Sequence, residues 1–343
     1  MSTWRWVGLG VALLVGIALP YLVAPVYVNL ASEILIFGLL AMSIDLLVGY
    51  TGLVPLGHAA IFGVAAYVVA YLNARMGLPH TVAIPAGVLG ALLVSVVFGA
   101  LAVRTSGLYF MLITLAEGML IWGLAYRWTS VTGSENGIGG ITRPGFLLLP
   151  WQFYYAVLGL FVLCALALYR VSRSPFGLTL KGIRDNESRM PMLGYDVALH
   201  KFLAFLISGG FAGIAGAAYA LYNRFVSPAT VEFARSAEGV LMVILGGSGT
   251  LVGAVLGSAL VLLTRNIVSL YTDRWLIVMG TLFVLVILLM PDGLLRGLGR
   301  LARRLQIPVV WTRLAPLRVR LSRSFSARKP VQELPAPTKH DIP

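Results

Sequence analysis

Charge is what this 343-residue chain has least of: Asp, Glu, Lys and Arg make up 11% of it, while 59% is hydrophobic. A soluble domain carries about 25% charged residues, so the class that remains is a polytopic membrane protein. Cysteine is nearly absent as well. Cys164 stands alone in an apolar run, which excludes a disulfide framework and a Cys-based metal site. No G-x-x-x-x-G-K-[ST] occurs, and "GGSGTLVG" (Gly246 to Gly253) has no lysine to reach a phosphate. The chain is therefore not expected to hydrolyse ATP itself or to hold a cofactor. Zincin signatures and nucleophile elbows are missing too, and "GLVPLG" (Gly52 to Gly57) lacks the central serine an elbow requires. No residue is nominated for catalysis.

Long apolar stretches are what the chain does have. About 20 apolar residues cross a hydrocarbon core, and the candidates are residues 7–28, 34–48, 56–72, 82–103, 108–126, 152–170, 202–222 and 275–290. The first has Arg5 ahead of it like a signal peptide. It is long and lacks a small-x-small cleavage site, so it reads as a retained span. Glu238 to Leu263 would run roughly 39 Å as one helix, and "GGSGT" (Gly246 to Thr250) breaks it near the middle.

Charge parity arbitrates that block. Arg170, Arg173, Lys181, Arg184, Arg189 and Lys201 place the loop between them in the cytoplasm, and the tail after Pro291 is more basic still. Span 202–222 exits, so 275–290 can return to an inside tail only if 238–263 enters and comes back. The expectation is an all-α polytopic transmembrane helix bundle of about 8–10 membrane segments with broken or re-entrant helices. Both termini are expected inside, with 127–151 and 223–237 outside. Residues 1–295 form the transmembrane domain, 171–201 its cytoplasmic loop, and 296–343 a basic cytoplasmic tail. That tail holds eleven bases and two acids, +9 of the total +13. With no recognisable nucleic-acid module, it reads as facing membrane lipid rather than nucleic acid, and its last fifteen residues read as disordered.

Two glycine-rich breaks interrupt the apolar pattern. "GYTGLVPLGHAAIFG" carries Gly49, Gly52, Pro55 and Gly57, where a helix over 34–72 would span roughly 58 Å and must turn. It contains no lysine or arginine. Either it is a simple loop, or it is irregular backbone beside a cavity, since such backbone survives at membrane depth only where protein or water satisfies it. Gly246, Gly247 and Gly249 form the second break. Gly249, Gly253 and Gly257, like Gly209, Gly213 and Ala217, keep the small-xxx-small spacing of close helix packing.

Ionisable groups within spans are rarer. Glu33 reads as a helix entrance facing water, and Asp45 as a brace for the first break. His58 is a hydrogen-bonded packing residue or a pathway residue; no second ligand lies at metal spacing, so no metal is expected. Glu117 and Glu238 are pathway candidates or interhelical hydrogen-bonding partners.

In the 171–201 loop, Ser174 and Pro175 suit a helix start, Pro191 a kink and Gly194 a stop. Gly177, Lys181, Arg184, Asp185, Glu187 and Gly194 are its candidate docking residues. The mixture of signs suits a protein groove better than anionic lipid alone.

Five blocks carry a resemblance: "DLLVGYTGLVPLGHAAIFGVAAY" (Asp45 to Tyr67), "TSVTGSENGIGGI" (Thr129 to Ile141), "SPFGLTLKGIRDNESRMPMLGYDVALHKFLAF" (Ser174 to Phe205), "SAEGVLMVILGGSGTLVGAVLGSAL" (Ser236 to Leu260) and "MPDGLL" (Met290 to Leu295). In this order the chain resembles the branched-chain amino acid ABC importer permeases of the LivM type. The resemblance implies a permease subunit in a bacterial inner membrane, importing aliphatic amino acids, with urea or short amides as the second choice. It also implies a second permease of the LivH type, two cytoplasmic ABC ATPases that carry the ATP, and a periplasmic substrate-binding protein. The 171–201 loop would be the coupling loop that meets the ATPases. Two positions depart from the family pattern: Pro55, where relatives read serine, and Glu117, where they carry an aromatic. A stand-alone secondary transporter or channel also uses glycine-broken helices at mid-membrane and is the rival class.

Overall fold

The computed structural model describes residues 14–271 and 275–289, with Gly293, Leu294 and Gly297. The beginning of the first apolar segment, most of "MPDGLL" and the basic tail lie outside the described residues. Residues 14–22 form α1, after which the chain breaks at Val23 and Ala24. Ala24 is extended, as the residue before a proline is driven to be, and Pro25 opens α2 (Pro25–Asp45) at its first position. The boundary between the first two segments therefore falls earlier than the 28–34 gap expected from hydropathy. Proline geometry, not polarity, sets it.

Then come α3 (His58–Ala70), α4 (His80–Ala102), α5 (Gly107–Arg127), the short α6 (Thr129–Thr132), α7 (Pro150–Arg173), α8 (Pro175–Asp185), α9 (Val197–Asn223), α10 (Phe233–Gly246), α11 (Leu251–Val268) and α12 (Trp275–Leu289). π-helical turns extend α2 over Leu46–Thr51 and α3 over Tyr71–Arg75. Six stretches are long and apolar enough to cross a membrane: Pro25–Thr51, α4, α5, α7, α9 and α11. The protein is thus a polytopic helical bundle, and α10, with 14 residues, is too short to span a membrane alone.

A two-residue antiparallel ribbon pairs β1 (Ile138–Gly139) with β2 (Phe225–Val226). It joins the two loops that charge parity places on one side and marks one end of the bundle. Helix α8 marks the other, because α7 runs into it and α9 returns from it. Packing along α9 is tight where its small residues lie. A Cβ on Gly213 would stand 2.5 Å from Ala91 Cβ, and one on Gly216 would overlap the Phe62 carbonyl. On α11 the four-residue glycine spacing works within the hairpin: a Cβ on Gly257 would overlap Met242 O of α10.

Candidate functional site

Helix α3 begins inside the bundle. Ser208 hydrogen-bonds His58 Nε2 at 2.8 Å and is the twelfth residue of the 27-residue α9. At 1.5 Å per residue that level is about 17 Å from the α8 end of a helix about 40 Å long. The non-helical segment Gly52–Gly57 runs inward from Thr51 to reach it, with Pro55 and Gly57 buried. Its backbone is satisfied by protein: Leu56 N donates to Thr114 Oγ1 of α5 at 3.1 Å.

Helix α10 begins at the same depth from the opposite side. The loop before it descends until Val231 packs on Gly63. Ala59 N, in the first turn of α3, then donates to Ser236 Oγ, in the first turn of α10, at 3.0 Å. Two helix N-termini thus meet within the bundle, and neither carries a side-chain cap. The irregular backbone is buried in protein, one of the two conditions under which it persists at membrane depth.

The two breaks also meet, at the α8 end. Gly249 N donates to Asp45 Oδ1 at 2.7 Å, and the Gly49 and Gly249 backbones are packed so closely that a Cβ on Gly49 would lie 2.5 Å from Gly249 Cα. Asp45 therefore braces one break against the other. Gly52, Gly247 and Gly249 have φ of 76°, 105° and 78°, the left-handed region that glycine adopts freely. Gly293 packs on this hinge as well, its Cβ position 3.1 Å from the Gly246 carbonyl carbon.

Helix α8 sits directly on this junction. Ser174 Oγ caps it by accepting Gly177 N at 3.3 Å. Gly177 lies against α7, where a Cβ would stand 2.6 Å from Val171 O. Arg184 Nη1 donates to Gly49 O and stands 3.4 Å from the Cβ position of Gly249. Lys181 Nζ lies 4.9 Å from the centre of the Tyr50 ring; burial first, then Arg173 and Arg184, push its ammonium below the usual lysine value. Lys201, 1% exposed at the base of α9, pairs with Glu187 at 2.6 Å. The charged ends of Arg184, Lys181 and Lys201 thus reach the protein's own backbone and helices, although Lys181 and Arg184, like Asp185, are exposed as residues. The helix ends at Asp185, nine residues before Gly194. That glycine (φ 84°) instead closes a 3₁₀ turn over Pro191–Leu193.

Glu33 does not face water. It lies in the third turn of α2 and pairs with Arg265 of α11, which reaches Glu238 of α10 at 3.1 Å; Glu238 in turn pairs with Arg235 at 2.9 Å. The four side chains are 11–28% exposed. Both guanidiniums lie near the Phe37 ring, at 5.6 and 5.9 Å. Sequence reading missed both arginines, although each is a lone base in an apolar block. Breaking a largely buried pair strands a charge, so Arg265→Met is expected to destabilise the protein by on the order of 3 kcal/mol. The double variant with Glu33→Gln, which leaves Glu238 paired with Arg235, should recover most of that loss. Chemical denaturation of the purified protein measures both.

His58 is 1% exposed and packs edge-on to Phe205, ring centroids 5.6 Å apart. Glu117 is buried on α5 and takes no part in the ion pairs of the quartet. No group of three metal-ligating side chains occurs among the described residues.

A family model described as branched-chain amino acid transport system / permease component matches residues 26–287. The high-affinity branched-chain amino acid transport system permease protein LivM of Escherichia coli K12 is 30% identical over 313 residues, covering 83% of this chain and 74% of its own length. LivM of Salmonella typhimurium is 28% identical over 310 residues, covering 82% and 73%. The autoinducer 2 import system permease protein LsrC of Salmonella typhi is 29% identical over 153 residues, 42% of this chain and 43% of its own length. No solved structure matches.

Proposed function

Because this chain belongs to the family of branched-chain amino acid transport permease components, we propose that it is the membrane-spanning permease of an ATP-driven importer of branched-chain amino acids. ATP is hydrolysed by two cytoplasmic ATPase subunits. A second permease of the LivH type completes the path, and a periplasmic binding protein delivers the cargo. The observation that carries this reading is the seat of α8: a helix outside the spans holds, through Arg184, the point where both broken helices meet. Force applied to α8 from the cytoplasm therefore reaches the two glycine breaks directly, and ATP-dependent closure of the partners can shift the bundle between inward- and outward-open states.

The test is reconstitution of the chain with a LivH-type permease, the ATPases and a binding protein, followed by uptake of radiolabelled leucine. ATP-dependent uptake that needs all the components is expected. Uptake by this chain alone, driven by an ion gradient, would establish the rival class instead.

Orientation gives a second check. A cysteine at Ser188, which is exposed, is expected to resist an impermeant maleimide in intact cells and to react after lysis. One at exposed Asn136 should react in intact cells. Cys164 is only 6% exposed and contributes little background. Labelling of Ser188→Cys from outside would reverse the assigned sides and remove α8 from reach of cytoplasmic partners.

A further inference from the structure

The end of the bundle opposite α8 holds a pocket of about 380 Å³. Its walls come from three helices: Asn29 in the second turn of α2, Leu148 and Pro150 where α7 starts, and Asn223 and Arg224 where α9 ends. Arg143, from the loop after β1, also lines it. The coupling geometry at the α8 end uses none of these residues.

Arg143 is fixed by the protein itself. Its Nε donates to Leu221 O at 2.8 Å and its Nη2 to Tyr222 O at 2.7 Å, two of the carbonyls that a helix leaves open at its C-terminus. The guanidinium lies over Phe153 of α7, 4.2 Å from the ring centre. A guanidinium has five N–H groups, so these two bonds leave donors for a ligand. Arg224 is the second base. It follows α9 with φ 56°, the left-handed conformation that glycine usually takes at a helix end.

The balance of charge in the pocket is positive. No acid lines it, and none of the ion pairs among the described residues includes Arg143 or Arg224. Glu33 stands one turn along α2 from Asn29 but is paired with Arg265. The C-terminus of α9 brings roughly half a negative charge, less than two guanidiniums supply. Burial first, then the charge of Arg224, push the Arg143 guanidinium below the usual arginine value. Two like charges thus converge on one cavity, on the side that charge parity places outside, where lysine and arginine are scarce.

What such a pocket accepts is an anion with several oxygens, because guanidiniums address phosphate or carboxylate through paired N–H groups. The depth selects the phosphate of a lipid. Helix α9 has 27 residues and extends roughly 40 Å, against about 30 Å of hydrocarbon, so its end lies among the head groups. Tyr27, Phe146 and Trp151, each within two residues of a lining residue, are 61%, 73% and 48% exposed, as aromatic side chains of the interfacial belt are. Only 22% of the apolar stretch of α7 is buried, which leaves surface for acyl chains.

We propose that this pocket binds the phosphate of an anionic phospholipid in the leaflet opposite α8, held by Arg143 and Arg224 with Asn29 as a further donor. The site does not depend on the cargo or the partners proposed above.

The test titrates the purified full-length chain, in a mild detergent, with phosphatidylglycerol and counts bound lipid by native mass spectrometry. The wild type is expected to retain phosphatidylglycerol in preference to phosphatidylcholine, and Arg224→Gly to bind it about tenfold or more weakly, the effect of losing a hydrogen bond from a charged group. Misfolding does not confound that variant: glycine suits the left-handed φ, so its thermal stability in lipid-free detergent should equal or exceed that of the wild type. Arg143→Lys keeps the charge and gives up the fork, so an intermediate affinity is expected. Arg127→Gln removes an exposed arginine at the same end but outside the pocket and should bind as the wild type does. Equal binding by wild type and Arg224→Gly overturns the proposal, as does a wild type without preference for the anionic lipid. An equal loss in Arg127→Gln would reduce the effect to general surface charge and overturn it too. Displacement of the lipid by inorganic phosphate at equal concentration would overturn the lipid assignment in favour of free phosphate. Unchanged lipid binding together with weaker capture of the periplasmic binding protein by Arg224→Gly would assign the arginines to a protein contact instead.

Discussion

Gly49→Ala is expected to abolish transport and to reduce the amount of assembled complex, although it adds a single methyl group. That methyl would overlap Gly249 N and the Asp45 carboxylate and lie 2.5 Å from Gly249 Cα. Two of the three obstacles are backbone, which has no rotamer to escape into, so the junction must part. Overpacking of this kind costs about 1–3 kcal/mol and more where nothing can yield, and the Asp45 to Gly249 hydrogen bond is lost with it. Gly77→Ala is the control. Its φ of 65° makes alanine strained there too, but no atom lies within 4 Å of the added carbon. The cost should stay near 1 kcal/mol, with uptake close to wild type. Uptake assays and detergent-extracted yields measured side by side decide the matter; a Gly49→Ala protein as active as the Gly77→Ala control would mean that the two breaks are free to separate.

Arg184→Gln is expected to leave the ATPases bound and turning over while leucine uptake falls by about tenfold or more, the cost of losing a charged donor to a buried carbonyl. The reason lies in where the side chain goes. Arg184 leaves α8, donates to the carbonyl of Gly49 and reaches the Gly249 turn, so its guanidinium connects the loop to both broken helices although the residue is exposed. Glutamine is too short to span that distance, whereas Arg184→Lys keeps a charge but loses the fork that can address two partners at once; an intermediate rate is expected. Asp185→Asn is the neighbouring control. Its carboxylate is exposed, so a defect there should show as weaker ATPase co-purification rather than as uncoupled hydrolysis. Equal ATP-to-leucine ratios in wild type and Arg184→Gln would remove Arg184 from the coupling path.

The chain's apolar blocks, its low charge and its glycine and proline breaks determine by themselves that this is a polytopic helical bundle with two interrupted helices. Each of those signals is local: a span is a matter of twenty apolar residues, and a break of Gly52, Pro55 or Gly247 standing where a helix cannot continue. Charge parity added that the 238–263 block doubles back, and the pairing of α10 with α11 about Gly246–Thr250 agrees with it. Tertiary structure alone decided what those local features touch. Gly49 and Gly249 are 200 positions apart, and nothing in either neighbourhood announces that their backbones meet or that Arg184 closes over both. Glu33 read as a solvated helix entrance because Arg265, its partner, is distant in sequence; Gly194 read as the end of α8, although a 3₁₀ turn intervenes and the helix stops at Asp185. The buried Glu117 stood out in the sequence as a charge inside a span. Its lack of a hydrogen-bond partner among the described residues became visible only once α5 was packed in place, because hydrogen bonding and charge compensation in a bundle are settled between helices, whereas hydropathy and backbone propensity are settled within one.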